Sequence, residues 1–177
     1  MPKQRIALTA IAIVIAVTAF AQQKAKHANV EGEIRLASFQ YYLATVFGDS
    51  DEYFKVARMP LSLLKDGVTT NRDEKASRAF LSQLADRVKA RNYSNDDKSQ
   101  IAKNMIALFD DASVQFVGAN TAELTFLVAK GSKPEEGDRM GTFILHKESG
   151  KWMVIMEVTD STPIPPSYLL DVPKVDK

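Results

Sequence analysis

The chain has 177 residues, of which 23 are basic, 22 are acidic and none is cysteine. A chain this close to neutrality creates no field that would attract nucleic acid or an anionic membrane, so nucleic-acid binding is not expected. The lack of cysteine excludes thiol catalysis, thiolate metal ligands and disulfide bonds, and the fold must be stabilised by packing.

The N-terminus has the three parts of a secretory signal peptide. Lys3 and Arg5 form a short positive segment, residues 6–20 are uncharged, and Ala19-Phe20-Ala21 is a small-x-small cleavage signal. An uncleaved anchor is the alternative, but the 16 uncharged residues up to Ala21 are fewer than the ~20 that a spanning helix needs. We therefore predict a signal peptide over residues 1–21 and an exported protein, periplasmic or extracellular, that is not bound to the membrane after cleavage.

Helical patterns fill the first half of the remaining chain. After a polar leader at residues 22–30, apolar residues such as Leu36 and Leu43 recur at helical spacing. Residues 51–58 then indicate a short second helix, which Pro60 ends. These patterns predict a long first helix followed by a short one.

Two further helices follow a short extended segment at residues 61–64. The stretch Thr70-Asn71-Arg72-Asp73 supplies an N-cap with a carboxylate three residues on, and the apolar stripe behind it predicts a helix that continues to about residue 90. The stretch Tyr93-Ser94-Asn95-Asp96-Asp97 supplies another cap and begins a further helix, which ends at the Asp110-Asp111 pair.

The hydrophobic period then changes from 3.6 to 2, which is typical of strands. Helices that precede a run of strands predict an α+β fold in which the N-terminal helices pack on one face of an antiparallel β-meander. Three prolines begin a tail at residues 161–177, which is either a disordered end or a strap over the body. The four predicted strands cover residues 113–117, 121–130, 139–147 and 152–159.

The register of the last hairpin follows from its turn. If Ser149-Gly150 is a two-residue turn, Leu145 opposes Val154 and His146 opposes Met153, and opposed residues share a face. One face is then nearly all apolar and is predicted to pack on the helices, which leaves His146 outside. The inner set is Phe143, Leu145, Trp152, Val154, Met156 and Val158, and the outer set is Thr142, Ile144, His146, Met153, Ile155 and Glu157.

In the first hairpin, apolar and polar residues separate onto opposite faces only if the loop has three residues. That loop pairs Phe116 with Ala122 and Val114 with Leu124. A two-residue turn would mix the faces. With this register the predicted inner faces contain no Asp, Glu, His or Lys. The outer face of the last hairpin is apolar and suggests a contact surface, with a homodimer as the expected partner and scattered surface hydrophobes as the alternative. The interface residues predicted there are Ile144, His146, Met153 and Ile155.

The order of elements resembles the NTF2-like superfamily, which includes SnoaL-like and ketosteroid-isomerase-like proteins. Three stretches carry the resemblance: "ATVFGDSDEYF" at the end of the first helix, "KDGVTTNRDEKASRAFL", and the last hairpin with Gly150-Lys151-Trp152. The resemblance covers residues 31–160 as one domain and implies a cone, in which helices wrap a curved sheet around a cavity. Some relatives are isomerases or dehydratases with Asp or His in the cavity, and others bind a ligand or a partner without catalysis.

Five residues are the candidates for ligand contact in the cone, with Arg58 placed near its mouth: Tyr41, Tyr42, Arg58, Phe126 and Trp152. The acids at 49–52 lack the ligand spacing of a calcium loop and are explained by helix capping, so no metal site and no cofactor is predicted. Hydrolase, phosphate-loop and dinucleotide motifs are absent from the sequence.

The preferred interpretation is an exported, non-catalytic domain that binds a small apolar ligand in its cone or an envelope protein through its sheet. The alternative is an isomerase-like or dehydratase-like enzyme of the same fold. A third is an accessory subunit of an envelope assembly that docks through its proline-rich tail. An enclosed carboxylate or histidine near a tyrosine would favour the enzyme, whereas a cone filled by Phe and Leu side chains would favour partner binding.

Overall fold

The computed structural model describes residues 30–129 and 139–159. The predictions for the signal peptide at 1–21, the proline-rich tail at 161–177 and, apart from Val30, the polar leader lie outside the described residues. Within the described ranges the chain forms four helices and six strands.

Three of the four described helices begin at acidic or hydroxyl residues within the stretches that the sequence marks as caps. Asp49 accepts hydrogen bonds from the backbone N–H groups of Asp51 and Glu52, and Asp73 accepts one from that of Ala76. Ser94 and Asp97 satisfy each other's backbone N–H groups in a capping box. The helices are α1 (Val30–Phe47), α2 (Ser50–Tyr53), α3 (Glu74–Arg91) and α4 (Asn95–Asp110).

The strands form one curved, unclosed sheet in the order β2-β1-β6-β5-β4-β3. Neighbouring strands are antiparallel except β1 and β6, which are parallel, so the sheet is mixed and not a simple meander. The strands are β1 (Ala57–Lys65), β2 (Val68–Arg72), β3 (Ser113–Gly118), β4 (Thr121–Ala129), β5 (Arg139–Glu148) and β6 (Lys151–Thr159).

The region around Pro60 differs from the sequence prediction. The second helix ends at Tyr53, and the predicted helical residues from Ala57 onward belong to β1. Proline has no N–H and cannot continue a helix, whereas a strand next to it still pairs through its other residues. The short extended segment predicted at 61–64 is therefore the second half of a nine-residue strand that forms a hairpin with β2.

The predicted register of both C-terminal hairpins is confirmed near their turns. In the last hairpin Leu145 pairs with Val154 and His146 with Met153. In the first hairpin Phe116 pairs with Ala122, and a bulge lies between Phe116 and Gly118. The side chains of Ala122, Leu145 and Val154 are fully buried, so the apolar face does pack on the helices.

The register of the last hairpin changes beyond that point, and there the predicted faces are wrong. Ile144 pairs with Met156 and Phe143 with Glu157, so Ile155 is an extra residue in a β-bulge. A bulge reverses the alternation that follows it. Met156 and Val158 therefore belong to the outer face, and Glu157 belongs to the inner face.

The core lies between the helices and the inner face of the sheet, and both α1 and α4 pack on that face. Fully buried aromatic residues of α1, α2, α4 and β5 meet there: Phe39, Tyr41, Tyr53, Phe109 and Phe143. The chain leaves α1 at Gly48, which has φ +67°. A Cβ there would lie 2.3 Å from the backbone nitrogen of Ala85, so α3 crosses the end of α1 at a distance that only glycine permits.

We expect Gly48→Ala to destabilise the fold far more than Gly67→Ala. Gly67 also has a positive φ, +77°, but a Cβ there would have no neighbour within 4 Å. Gly67→Ala should lower the free energy of unfolding by about 1 kcal/mol, the cost of the left-handed conformation. Gly48→Ala adds the overlap with α3 and should cost roughly 3 kcal/mol or more. Urea denaturation measures both, and equal losses would contradict the close crossing.

Candidate functional site

A tyrosine–carboxylate pair lies at the inner face of the sheet. The Tyr41 hydroxyl donates a hydrogen bond to Oε2 of Glu157 at 2.8 Å. Tyr41 is 1% exposed, whereas Glu157 is half-buried. The bond joins α1 to the central strand β6 at a point where the carboxylate still has some access to solvent.

The surroundings of Glu157 on the sheet are apolar. Its pairing partners are Leu63 on β1 and Phe143 on β5, and Phe143 pairs in turn with the buried Leu124. A carboxylate in such a place loses hydration and needs hydrogen-bond donors in compensation. Tyr41 supplies one of them.

A second polar group enters the same cluster from β2 and α2. The Arg72 guanidinium donates a hydrogen bond of 3.0 Å to the Tyr53 hydroxyl and lies 4.4 Å from the centre of the Phe80 ring. The rings of Tyr53 and Tyr41 are 5.1 Å apart. The side chains of Arg72, Tyr53, Tyr41 and Glu157 thus form a row from the cation to the carboxylate. Among the described residues, Arg72 has no carboxylate within ion-pair distance.

Tyr42 forms an aromatic wall beside the pair. Its ring lies 5.5 Å from that of Phe126, 5.7 Å from that of Phe109 and 6.4 Å from that of Phe143. The rings of Phe109 and Phe126 are themselves 4.9 Å apart. Rings at these distances pack against one another, so they form one continuous apolar wall.

The two tyrosines beside Glu157 keep their protons more strongly than ordinary tyrosines. Burial, then the negative charge of Glu157, raises the pKa of Tyr41 well above its usual value. The same two causes raise the pKa of Tyr42. Both hydroxyls are therefore neutral hydrogen-bond donors at physiological pH.

The structure brings three of the five predicted ligand-contact residues together and separates the other two. Tyr41, Tyr42 and Phe126 belong to the aromatic cluster. Arg58 is exposed on β1 and pairs with Glu148 at 3.0 Å, beside the turn between β5 and β6. Trp152 lines a separate surface groove with residues of α1.

His146 lies on the outer face, as predicted. Its Nδ1 is 3.0 Å from the Thr121 hydroxyl on the neighbouring strand. The other predicted interface residues, Ile144, Met153 and Ile155, are partly exposed on the outer side or at the bulge. The homodimer through this face stays a prediction.

Sequence reasoning missed Glu157, Tyr53 and Arg72. In the stretch around Glu157 both the odd-numbered and the even-numbered residues are mostly apolar, so hydrophobic alternation could not reveal a bulge. One signal was present, because Glu157 is the only charged residue between Lys151 and the end of β6. Arg72 belongs to the stretch 70–73 that the sequence predicts as a helix cap, because β2 is short and mostly exposed and carries no apolar alternation.

The described ranges hold no group of three or more His, Asp or Glu residues positioned to bind a metal ion. No helix of residues 30–129 and 139–159 is both long and apolar enough to cross a membrane.

We expect Glu157→Gln to lower the pKa of both Tyr41 and Tyr42, because the neighbouring charge is removed while burial remains. A raised pKa in the folded state means that stability is complete below the ordinary tyrosine pKa of about 10 and falls as the pH rises above it. The variant should therefore lose less stability above that pH than the wild type. Tyrosinate absorbance and urea denaturation measure the two effects.

The matched control is Glu123→Gln, which removes a carboxylate from the outer face of β4, where Glu123 is hydrogen-bonded to Thr125. Titration curves that coincide for the two variants would contradict the placement of Glu157 beside the tyrosines.

No protein-family model and no curated protein matches the sequence. Solved structures do match. An NTF-2 like protein of unknown function from Shewanella oneidensis shares 12% identity, with 73% of this chain and 97% of that chain covered and a TM-score of 0.39. One from Silicibacter pomeroyi shares 13% identity, with 76% and 95% covered and a TM-score of 0.45.

A domain of unknown function with a cystatin-like fold from Nostoc punctiforme shares 13% identity, with 78% of this chain and 81% of that chain covered and a TM-score of 0.45. Similarity at this level concerns the fold alone and says nothing about activity, ligand or partner. The α+β class that the sequence predicts is confirmed, with helices packed on a curved, unclosed sheet.

Proposed function

We propose that this chain binds a small, mainly apolar ligand beside the Tyr41–Glu157 pair. The observation that carries the proposal is the 2.8 Å hydrogen bond between a buried phenol and a half-buried carboxylate in aromatic surroundings. A few converging polar groups on an apolar wall are the usual composition of a small-molecule site. The protein is then a binding module, and its ligand is small because the packed rings leave little room beside the pair.

The chemistry of the pair defines the ligand further. Tyr41 occupies Oε2 of Glu157, and Oε1 accepts no hydrogen bond from a described residue. A ligand hydroxyl or amine that donates to Oε1 would satisfy it. The Tyr42 and Phe126 rings would contact the apolar part of such a ligand.

The second candidate is a proton-transfer enzyme, an isomerase or dehydratase. It is favoured by the same pair, because an enclosed carboxylate near tyrosines is the arrangement that such chemistry needs. Glu157 would take a proton from an acidic C–H of the substrate, and the protonated Tyr42 hydroxyl would donate a hydrogen bond to the oxyanion that develops. The proton would then return to another atom of the substrate.

The proposal includes the export and the homodimer predicted from the sequence. The bulge supports the dimer, because it adds Met156 and Val158 to the apolar outer face that holds Ile144 and Met153. The mass of the secreted protein, expected to begin at Gln22, tests export, and the sedimentation coefficient of that protein tests the dimer.

Ligand-observed NMR with a fragment set tests the binding function. The set contains pairs of small cyclic compounds that differ only in a hydroxyl or amine donor. Glu157→Gln should weaken the binding of the donor compounds about tenfold, because a hydrogen bond to a charged group is lost. The affinity for their hydrocarbon analogues should not change. Glu123→Gln should bind both like the wild type. Identical affinities in all three proteins would refute the site.

Proton exchange in D₂O separates the two candidate functions. If the chain is an enzyme, it should exchange the acidic C–H of a cyclic ketone from the set, and Glu157→Gln should lower that rate by a factor of roughly 100 or more. Binding without exchange supports the binding module. Exchange that persists in Glu157→Gln would contradict the role of Glu157 as the base.

A further inference from the structure

A groove of about 300 Å³ opens between the first half of α1 and the turn that joins β5 to β6. It shares no lining residue with the Tyr41–Glu157 cluster. Its apolar lining consists of Leu36, Ala37, Val56 and Trp152, and its polar lining includes Glu33, Gln40, Lys55 and Lys151. A volume of this size accommodates a small molecule.

Trp152 forms the most buried part of this lining. The residue is only 4% exposed, and its indole N–H is shielded and has no hydrogen-bond partner among the described residues. A buried donor without an acceptor costs free energy, which an acceptor oxygen brought by a ligand would recover. The unpaired N–H therefore favours a ligand that carries an acceptor.

The charged side chains at the rim of the groove favour an acceptor that is negatively charged. Lys55 pairs with Glu52 at 2.6 Å, and Lys147 lies 3.4 Å from Glu33 and 5.6 Å from the centre of the Trp152 ring. Lys151 lines the groove and is exposed, and it has no carboxylate within ion-pair distance in the described part of the chain. The groove thus presents one ammonium group whose charge is not neutralised.

We propose that this groove is a second binding site and that its ligand is a small carboxylate with a short apolar body. The ammonium group of Lys151 would attract the carboxylate, and one of its oxygens would accept from the Trp152 N–H after a rotation of the indole side chain exposes that N–H to the groove. The apolar body would lie against Leu36 and Val56. A neutral amide of the same shape loses the charge attraction, and an ammonium analogue is repelled by Lys151. The site is independent of the ligand proposed for Glu157.

The single tryptophan of the chain makes the test specific, because intrinsic emission excited at tryptophan comes from Trp152 alone. The probes are hexanoate, hexanamide and hexylammonium, which share one body. Hexanoate should give a saturable change in emission that weakens as salt is added. The indole N–H resonance should move downfield with the same titration midpoint, as expected for a donor that gains an acceptor.

Lys151→Gln should weaken the binding of hexanoate about three- to tenfold, in keeping with the loss of one partly screened charge interaction. The matched control is Lys103→Gln, at an exposed lysine of α4, which should bind like the wild type. The groove shares no lining residue with the Tyr41–Glu157 cluster, so failure of one site leaves the other testable. Equal responses to the three probes, or an indole resonance that does not move with hexanoate, would overturn the proposal.

Discussion

The hydrogen bond between Tyr41 and Glu157 constrains both the core and the site of this protein. It connects the helix at the centre of the core to the central part of the sheet, and it compensates a carboxylate that β6 turns toward the apolar side. Removing a partner of a half-buried charge usually costs more than the bond itself contributes, because the charge is left without a donor. The bond therefore fixes the Tyr41 side chain, against which the rings of Tyr53 and Phe143 pack.

The bond exists because of one extra residue in a strand. Without the bulge at Ile155, Glu157 would point away from the helices and Tyr41 would face Met156 or Val158. Hydrophobic alternation predicted the pairing up to Val154, since the polar and apolar residues separate cleanly there. Beyond Val154 nearly every residue is apolar, and alternation no longer distinguishes the two faces. The fold class was therefore predictable, whereas the one acidic residue of the site was not.

The other helices and strands show the same difference between features that a local pattern predicts and features that it does not. Helices α3 and α4 begin at Asp73 and Ser94 as their caps indicate, because capping is a local interaction that the sequence displays directly. The parallel pairing of β1 with β6 joins segments that lie far apart in the chain, and no local pattern encodes it. Arg72 and Tyr53, which are 19 residues apart, meet only after β2 has folded back on β1. Residues that act through local structure were found, and residues that act through distant pairing were missed.

Helix α1 positions both proposed sites, and its geometry explains how one helix can do so. Glu33, Leu36, Ala37 and Gln40 follow the i, i+3, i+4, i+7 spacing of a single helical face, and that face lines the groove at Trp152. Tyr41 lies about 100° further around the helix and faces Glu157. Because α1 is packed on several faces, with Ile34, Phe39 and Leu43 fully buried, it cannot shift toward one site without disrupting the core. Selectivity at each site must therefore come from its own side chains, a carboxylate at one and an unpaired ammonium group at the other.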